Sequence, residues 1–342
     1  RMTKNVLPGL LALFLLSAVL PVSAGQSADG CAISPVEAAH LVEFRVPRFT
    51  TTHIEPGMRD NTPIYLLEGR SGSDGYRAVV DARIARVLTI TKNGEPFYEW
   101  PGIIVAGHRG NVSFAPENTI AALNKGIELG ADLVEIDIRE TKDGHLVIMH
   151  DSSVDRTTSG KGKIAELTLE EIKAFDAGSW FSEEYKGEKV PTLDEALSAI
   201  EGRALPDLDF KAGTPGKLIA ALEKHNLLGK VTLYCGSWDL LQSTLQENKQ
   251  FEIRPTVPFG RIGLPILLEK LNPPIVNMDW PQFTESLVLE THLLGKKAFV
   301  NVMGANDTEF GMLRAMDAGA DYLQSDHLDL LMPLLRARGL HK

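Results

Sequence analysis

The sequence predicts an α/β fold: a TIM-type (β/α)8 barrel over residues 101–342, with a small α+β module before it over residues 33–98. Three observations carry this. From residue 101 onward, apolar runs rich in β-branched residues alternate with helical spacings, the pattern of parallel strands joined by helical crossovers. The length of that region suits a closed eight-stranded barrel, which takes ~250 residues. No GxGxxG follows the first strand, which lowers the alternative of an open doubly wound sheet.

The first residues read as a targeting segment. Lys4 is followed by LPGLLALFLLSAVLP and then by Val22-Ser23-Ala24, a small-x-small cleavage pattern. The apolar run is shorter than the ~20 residues of a spanning helix. The expectation is a signal peptide over residues 1–24, cleaved near Ala24, with no stable membrane span and export to the periplasm or medium. A lipoprotein anchored at Cys31 is the weaker alternative, because Asp29 and a long gap separate that cysteine from the apolar run.

In the module, SPVEAAHLVEFRV has helical spacing after a Ser-Pro start, and TPIYLLEGR, GYRAVVDA and ARVLTITKN read as a meander of strands. The run YRAVVDARIARVLTI resembles the PepSY module. An N-terminal extension packed on the main domain is the other reading.

The barrel elements follow in order: strand IIVAG, helix ENTIAALNKGIELG, strands DLVEIDI and HLVIMH, helix TLDEALSAI, strand LPDLDF, helix GKLIAALEKHN and strand KVTLYC. FEIRPTV, PIVNMD, KAFVN and DYLQSD complete the strand candidates, nine for eight places, so one of the later ones is expected to be marginal. The insertion over residues 151–191, after the third strand, is far longer than a usual βα loop. It holds a short helix, TLEEIKAF, and Trp180, Phe181 and Tyr185, and is expected to cover a site. Cys235, in VTLYC, reads as a buried strand thiol.

Charge narrows the partners. A formal net charge of −10 argues against nucleic acid. A small phosphate-bearing substrate stays open if the site carries its own positive charge. Oligomeric state is not legible.

Chemistry-bearing residues collect at strand ends. In DLVEIDI, Val134, Ile136 and Ile138 share one face while Glu135 and Asp137 share the other, which in a barrel points inward. In LPDLDFK, Asp207, Asp209 and Lys211 share a face, the last two at the C-terminal end where barrels place their chemistry. Glu135, Asp137 and Asp209 make an all-oxygen cage suited to Mg²⁺ or Ca²⁺. His108 and His150 end two strands and suit a general acid–base pair. Arg109 offers a phosphate-oxygen fork and Lys211 a point charge. His145, His225 and His292 read as surface residues. Pro116-Glu117-Asn118-Thr119 reads as a helix start, and GKGK at residues 160–163 as a turn, since the Walker spacing is absent.

The segments GHRG…PENT, VEID, HD…DRTTSGKG and VPTLDEAL, in that order, resemble the glycerophosphodiester phosphodiesterase family from about Ile103 to Asp326. The resemblance implies a barrel that hydrolyses glycerophosphodiesters to glycerol phosphate and an alcohol with a divalent metal. It also implies that His108, Arg109, Glu135, Asp137 and His150 form the core of the site, with Asp209 where the family often has Glu. The family's Trp-Thr-Val-Asn segment is aligned with Ala298-Phe299-Val300-Asn301, so a substrate-facing aromatic is expected to be missing. Ser325-Asp326 replaces a Thr-Asp. Two other readings remain: a phosphodiester lyase like sphingomyelinase D, which releases a cyclic phosphate, and a non-catalytic binding protein on a degenerate barrel.

Overall fold

The computed structural model describes residues 31–341, so the expected signal peptide lies outside the described residues. The module opens with α1 (Pro35–Glu43), started by Pro35 and by a capping box between Ser34 and Glu37. Five antiparallel strands follow in meander order: β1 (Thr50–Arg59), β2 (Thr62–Ser71), β3 (Asp74–Asp81), β4 (Arg86–Lys92) and β5 (Glu95–Glu99). The sequence showed only the central three. Strand β1 carries Pro56 and Gly57 and is nowhere fully buried, so no alternating pattern marks it. Leu41, Val42, Leu67, Val80 and Ile90 lie in the module's own core.

The barrel staves are β6 (Ile104–Gly107), β7 (Leu133–Glu140), β9 (Leu205–Phe210), β10 (Thr232–Tyr234), β11 (Glu252–Ile253), β12 (Ile275–Asp279), β13 (Lys297–Val302) and β14 (Tyr322–Ser325). They are parallel, in the order β11-β10-β9-β7-β6-β14-β13-β12. A parallel bridge between Thr256 and Asn277 joins the two ends and closes the ring. The third strand candidate takes no stave. As β8 (Leu146–Ile148), it pairs antiparallel with β7 and forms a hairpin. The short β11 does fill a place, so the surplus candidate was an early one.

Helices α2 (Ile120–Leu129), α4 (Leu193–Ile200), α5 (Pro215–Lys224), α6 (Trp238–Glu247), α7 (Leu264–Lys270), α8 (Glu285–Leu293), α9 (Glu309–Ala318) and α10 (Leu328–Ala337) surround the staves. Val134, Ile136 and Ile138 pack into the layer under the helices, as the period of two requires. The insertion that follows β8 contains the short α3 (Leu169–Ala174) and a small core of its own around Val154, Ile164, Ile172 and Val190. Cys235 is a buried thiol whose Sγ–H donates to the Phe210 carbonyl at 3.0 Å.

The module docks at the N-terminal ends of the staves. Arg86 donates to the carbonyls of Gly319 and Ala320, where α9 ends, and pairs with Asp321 at 3.0 Å just before β14. His292, expected at the surface, is instead buried at this junction. Its ring bridges the Ile84 carbonyl at 2.6 Å and Asp321 at 2.8 Å. Leu289 and Leu293 of α8 pack on the module's core. The catalytic end of a barrel is the other one.

Candidate active site at the barrel mouth

Glu135 and Asp137 rise from β7 and Asp209 from the adjacent β9, where Asp137 and Asp209 are register partners. One ligand oxygen from each lies within 4.8 Å of the others, and all three carboxylates are buried. Burial and the neighbouring acids Asp137 and Asp209 push Glu135 well above the usual carboxylate range. Burial and Asp137 push Asp209 up to about 6. Burial would also raise Asp137, but Lys211, Arg109 and His150 hold it below its ordinary value.

Three buried acids this close repel one another without a cation among them. Asp209 Oδ1 is buried and accepts no hydrogen bond, and Asp137 Oδ1 meets only the Lys211 ammonium at 3.1 Å, outside hydrogen-bond geometry. Spare, hard, anionic oxygens fit Mg²⁺ or Ca²⁺ better than zinc, which prefers nitrogen and sulfur. The residues present therefore fit a divalent cation.

Two fixed cations flank the acids. The Arg109 backbone N–H donates to Glu135 Oε2 at 2.7 Å, its guanidinium donates to Glu117 at 2.8 Å, and its Nε stands 3.4 Å from Asp137. The turn that carries it is tight. Arg109 has φ 49° and Gly110 φ 89°. A Cβ on Gly110 would lie 2.4 Å from the Ala122 carbonyl carbon, so α2 can press onto the turn only with glycine there. The Lys211 ammonium also pairs with Asp209 at 2.5 Å.

The histidines reach the mouth by different routes. His108 follows β6 directly, and its Nδ1 meets Asp326, beyond β14, at 2.6 Å. His150 does not end a stave. It follows the β8 hairpin, whose pairing with β7 carries it back: Met149 N–H donates to the Asp137 carbonyl at 2.9 Å. Arg139 holds the His150 carbonyl with Nε at 2.9 Å and Nη2 at 2.6 Å. His150 Nδ1 meets Asp151 at 2.8 Å, and burial lowers the ring's pKa. In each ring Nε2 is the nitrogen left for chemistry.

The structure thus brings together all seven residues singled out in the sequence: His108, Arg109, Glu135, Asp137, His150, Asp209 and Lys211. It adds four to which the sequence reading gave no role in the site. Asp326 orients His108. Asn118 exchanges hydrogen bonds with Asp137, its Nδ2 donating at 2.7 Å and its Oδ1 accepting at 3.2 Å. Glu117 anchors Arg109. Arg254 neutralises Asp207 below the acid cage, with bonds of 2.6 Å to each carboxylate oxygen. Pro116 precedes the helix rather than opening it, because Thr119 is the N-cap of α2.

Ala298 gives a correction. It is fully buried in the layer between β13 and the helices, so an aromatic there would not face substrate. Phe299, Asn301 and Met303 share the inward face, and Met303 is the one that lies past the stave's end.

The arrangement is a (β/α)8 barrel whose mouth joins three buried carboxylates, an arginine and a lysine beside them, and two imidazoles each held at Nδ1 by a carboxylate. The model of the Glycerophosphoryl diester phosphodiesterase family matches residues 108–248. The chain is 40% identical over 168 residues to a glycerophosphodiester phosphodiesterase of Caldanaerobacter subterraneus, covering 47% of this chain and 65% of that protein. It is 39% identical over 171 residues to one of Bacillus subtilis, covering 46% of this chain and 58% of that protein. The chain therefore spans less than two-thirds of the length of these curated relatives.

Solved structures match the barrel more completely. A glycerophosphodiester phosphodiesterase from Agrobacterium tumefaciens superposes with a TM-score of 0.63 at 29% identity, over 68% of this chain and 99% of that one. An Oleispira antarctica phosphodiesterase in complex with the product sn-glycerol-3-phosphate also has a TM-score of 0.63, at 27% identity, over 69% of this chain and 97% of that one. In sequence over residues 108–248 and in fold over the whole barrel, the chain is similar to glycerophosphodiester phosphodiesterases.

Proposed function

We propose that this chain is an exported phosphodiesterase that hydrolyses glycerophosphodiesters to glycerol phosphate and an alcohol. The observation that carries the reading is the convergence of the Glu135–Asp137–Asp209 cage, Arg109, Lys211 and two carboxylate-bound histidines at one end of the barrel. The product named for the Oleispira structure supports the substrate class. Export rests on the sequence of residues 1–24, and no helix among the described residues is long and apolar enough to cross a membrane.

Glu135, Asp137 and Asp209 would hold the divalent cation, Mg²⁺ or Ca²⁺, which supplies positive charge against the phosphoryl oxygens when bound. Arg109 presents a planar fork to two phosphate oxygens and Lys211 a compact ammonium, and both are fixed before substrate arrives. Asp326 and Asp151 each take the Nδ1 side of a histidine. One free Nε2 accepts a proton from the nucleophile, either water or a neighbouring glycerol hydroxyl whose cyclic phosphate a water then opens, while the other ring donates a proton to the departing alkoxide. The substrate is a small diester; nucleic acid is not a partner for a chain this acidic.

The test is product formation from glycerophosphocholine and glycerophosphoethanolamine, with and without chelator, beside Glu135→Ala. Glycerol phosphate that appears only with metal and with Glu135 intact is the expected result. A cyclic phosphate would replace hydrolysis by the lyase reaction. Silence with every divalent metal, on these diesters and on lysophospholipid and polymeric ones, would overturn the enzymatic reading.

A further inference from the structure

Glu117 of PENT, which anchors Arg109, and Arg156 in the DRTT segment of the insertion take no proton and touch no substrate in this chemistry. The structure joins them in one unbroken chain of charged groups. Arg109 Nη1 donates to Glu117 Oε1 at 2.8 Å. Arg156 takes the same carboxylate side-on, with Nη2 to Oε1 at 2.7 Å and Nη1 to Oε2 at 2.8 Å. Its other edge takes Asp151, with Nε to Oδ2 at 2.7 Å and Nη2 to Oδ1 at 3.1 Å. Asp151 Oδ1 then meets His150 Nδ1 at 2.8 Å. One guanidinium thus spans two carboxylates, one of which fixes the phosphate-binding arginine and the other the histidine.

We infer that Arg156 is a positioning residue that sets Arg109 and His150 in a common geometry through Glu117 and Asp151, and so ties the insertion to the reacting centre. Only a guanidinium has this reach. Both of its edges are used, and a lysine ammonium, a point donor, cannot lie flat against two carboxylates at once. Glu117 is the stiff member, its side chain 9% exposed between two arginines, whereas the Arg156 side chain is 44% exposed. The arginine is therefore accessible from solvent, and its loss can be repaired from solution. Asp151, kept ionised beside Arg156, makes Nδ1–H the favoured tautomer of His150 and leaves Nε2 unprotonated for proton transfer.

The kinetic arm of the test rests on the proposed phosphodiesterase activity, and a second arm reads the ring without turnover. In the first, Arg156→Ala should lower kcat/KM by about 10–100-fold, the usual cost of removing a group that orients a reacting one. Arg156→Lys should recover only a small part, and millimolar guanidinium should restore Arg156→Ala but not Arg156→Lys. In the second, ¹⁵N NMR of the full chain should show His150 with its proton on Nδ1, and a mixed tautomer in Arg156→Ala. Glu117→Gln, which touches Arg109 and not His150, should shift the His150 nitrogen resonances when Arg156 is present and leave them unmoved in Arg156→Ala.

Loss of activity without guanidinium rescue, with an unchanged His150 spectrum, would make Arg156 merely structural and overturn the inference. A chain that turns over no diester yet shows the Arg156-dependent tautomer would keep the inference and refute the proposed activity. If Arg156→Ala does not fold, the Arg156→Lys and Glu117→Gln spectra decide, and a wild-type His150 signal in both would refute the role.

Discussion

Replacing Arg254 by methionine should cost the fold about 3–5 kcal/mol, the usual price of breaking a buried ion pair from one side. Asp207 has no solvent exposure, and its carboxylate is held by Arg254 Nε and Nη2, each at 2.6 Å, and by the Thr232 hydroxyl at 2.6 Å. Methionine fills most of the volume of the arginine stem, so little cavity forms. What remains is a buried carboxylate with one hydroxyl donor, and an Asn277 that has lost its 2.9 Å bond from Nη1. Urea unfolding followed by tryptophan fluorescence measures the loss, which amounts to roughly two to three and a half powers of ten in the folding equilibrium. The double change Asp207→Leu with Arg254→Met should recover most of it, because an apolar pair of similar volume often replaces a buried ion pair at little cost. A single-variant loss below about 1 kcal/mol, or a double variant no better than the single, would refute the reasoning.

Gly110→Ala should destabilise by roughly 2–4 kcal/mol in the same assay, since φ is 89° there and the new Cβ would collide with α2. Asp326→Asn should lower kcat by about 10–100-fold with KM little changed, because it acts on the reacting ring through His108 Nδ1 and not on the phosphate. At the module junction, burial alone would raise Asp321, but His292 and Arg86 hold it well below its ordinary value. A depressed carboxylate contributes stability above its unfolded pKa, near 4, and loses it as pH falls toward the lower folded value. Melting curves should therefore fall more steeply below about pH 4 for the wild-type chain than for Asp321→Asn.

Much of the site was legible because its residues obey strand parity. Glu135 and Asp137 alternate with Val134, Ile136 and Ile138, and no helix-facing surface would take them. His150 was placed correctly for an incomplete reason. Leu146, Val147 and Ile148 are as apolar as any stave, but residues 141–145 are too few to carry a parallel crossover, which needs a dozen or more. That connection length was the signal for a hairpin. Asp326, Glu117 and Asn118 were given no site role because they stand in loops, where periodicity says nothing, and only the pairing of β14 with β6 brings Asp326 beside His108. Arg254 was legible in principle: an arginine inside FEIRPTV needs a buried acid, and Asp207 was the inward acid without a role. His292 stands in the last turn of α8, beside polar neighbours in sequence, and looks solvated until the module covers it.

The docked module also changes what a truncation would mean. Removing residues 33–98 would uncover Leu289 and Leu293, take Arg86 away from the carbonyls that end α9, and strip His292 of its Ile84 acceptor. Asp321 would lose Arg86 and keep only its contact with His292. An inactive deletion would therefore report damage to the barrel's foundations rather than a part played by the module in turnover. To dissect the two genetically, the sheet's outer surface is the place to cut into, at side chains such as Met58, Leu66 and Arg77, with the inner seam left intact.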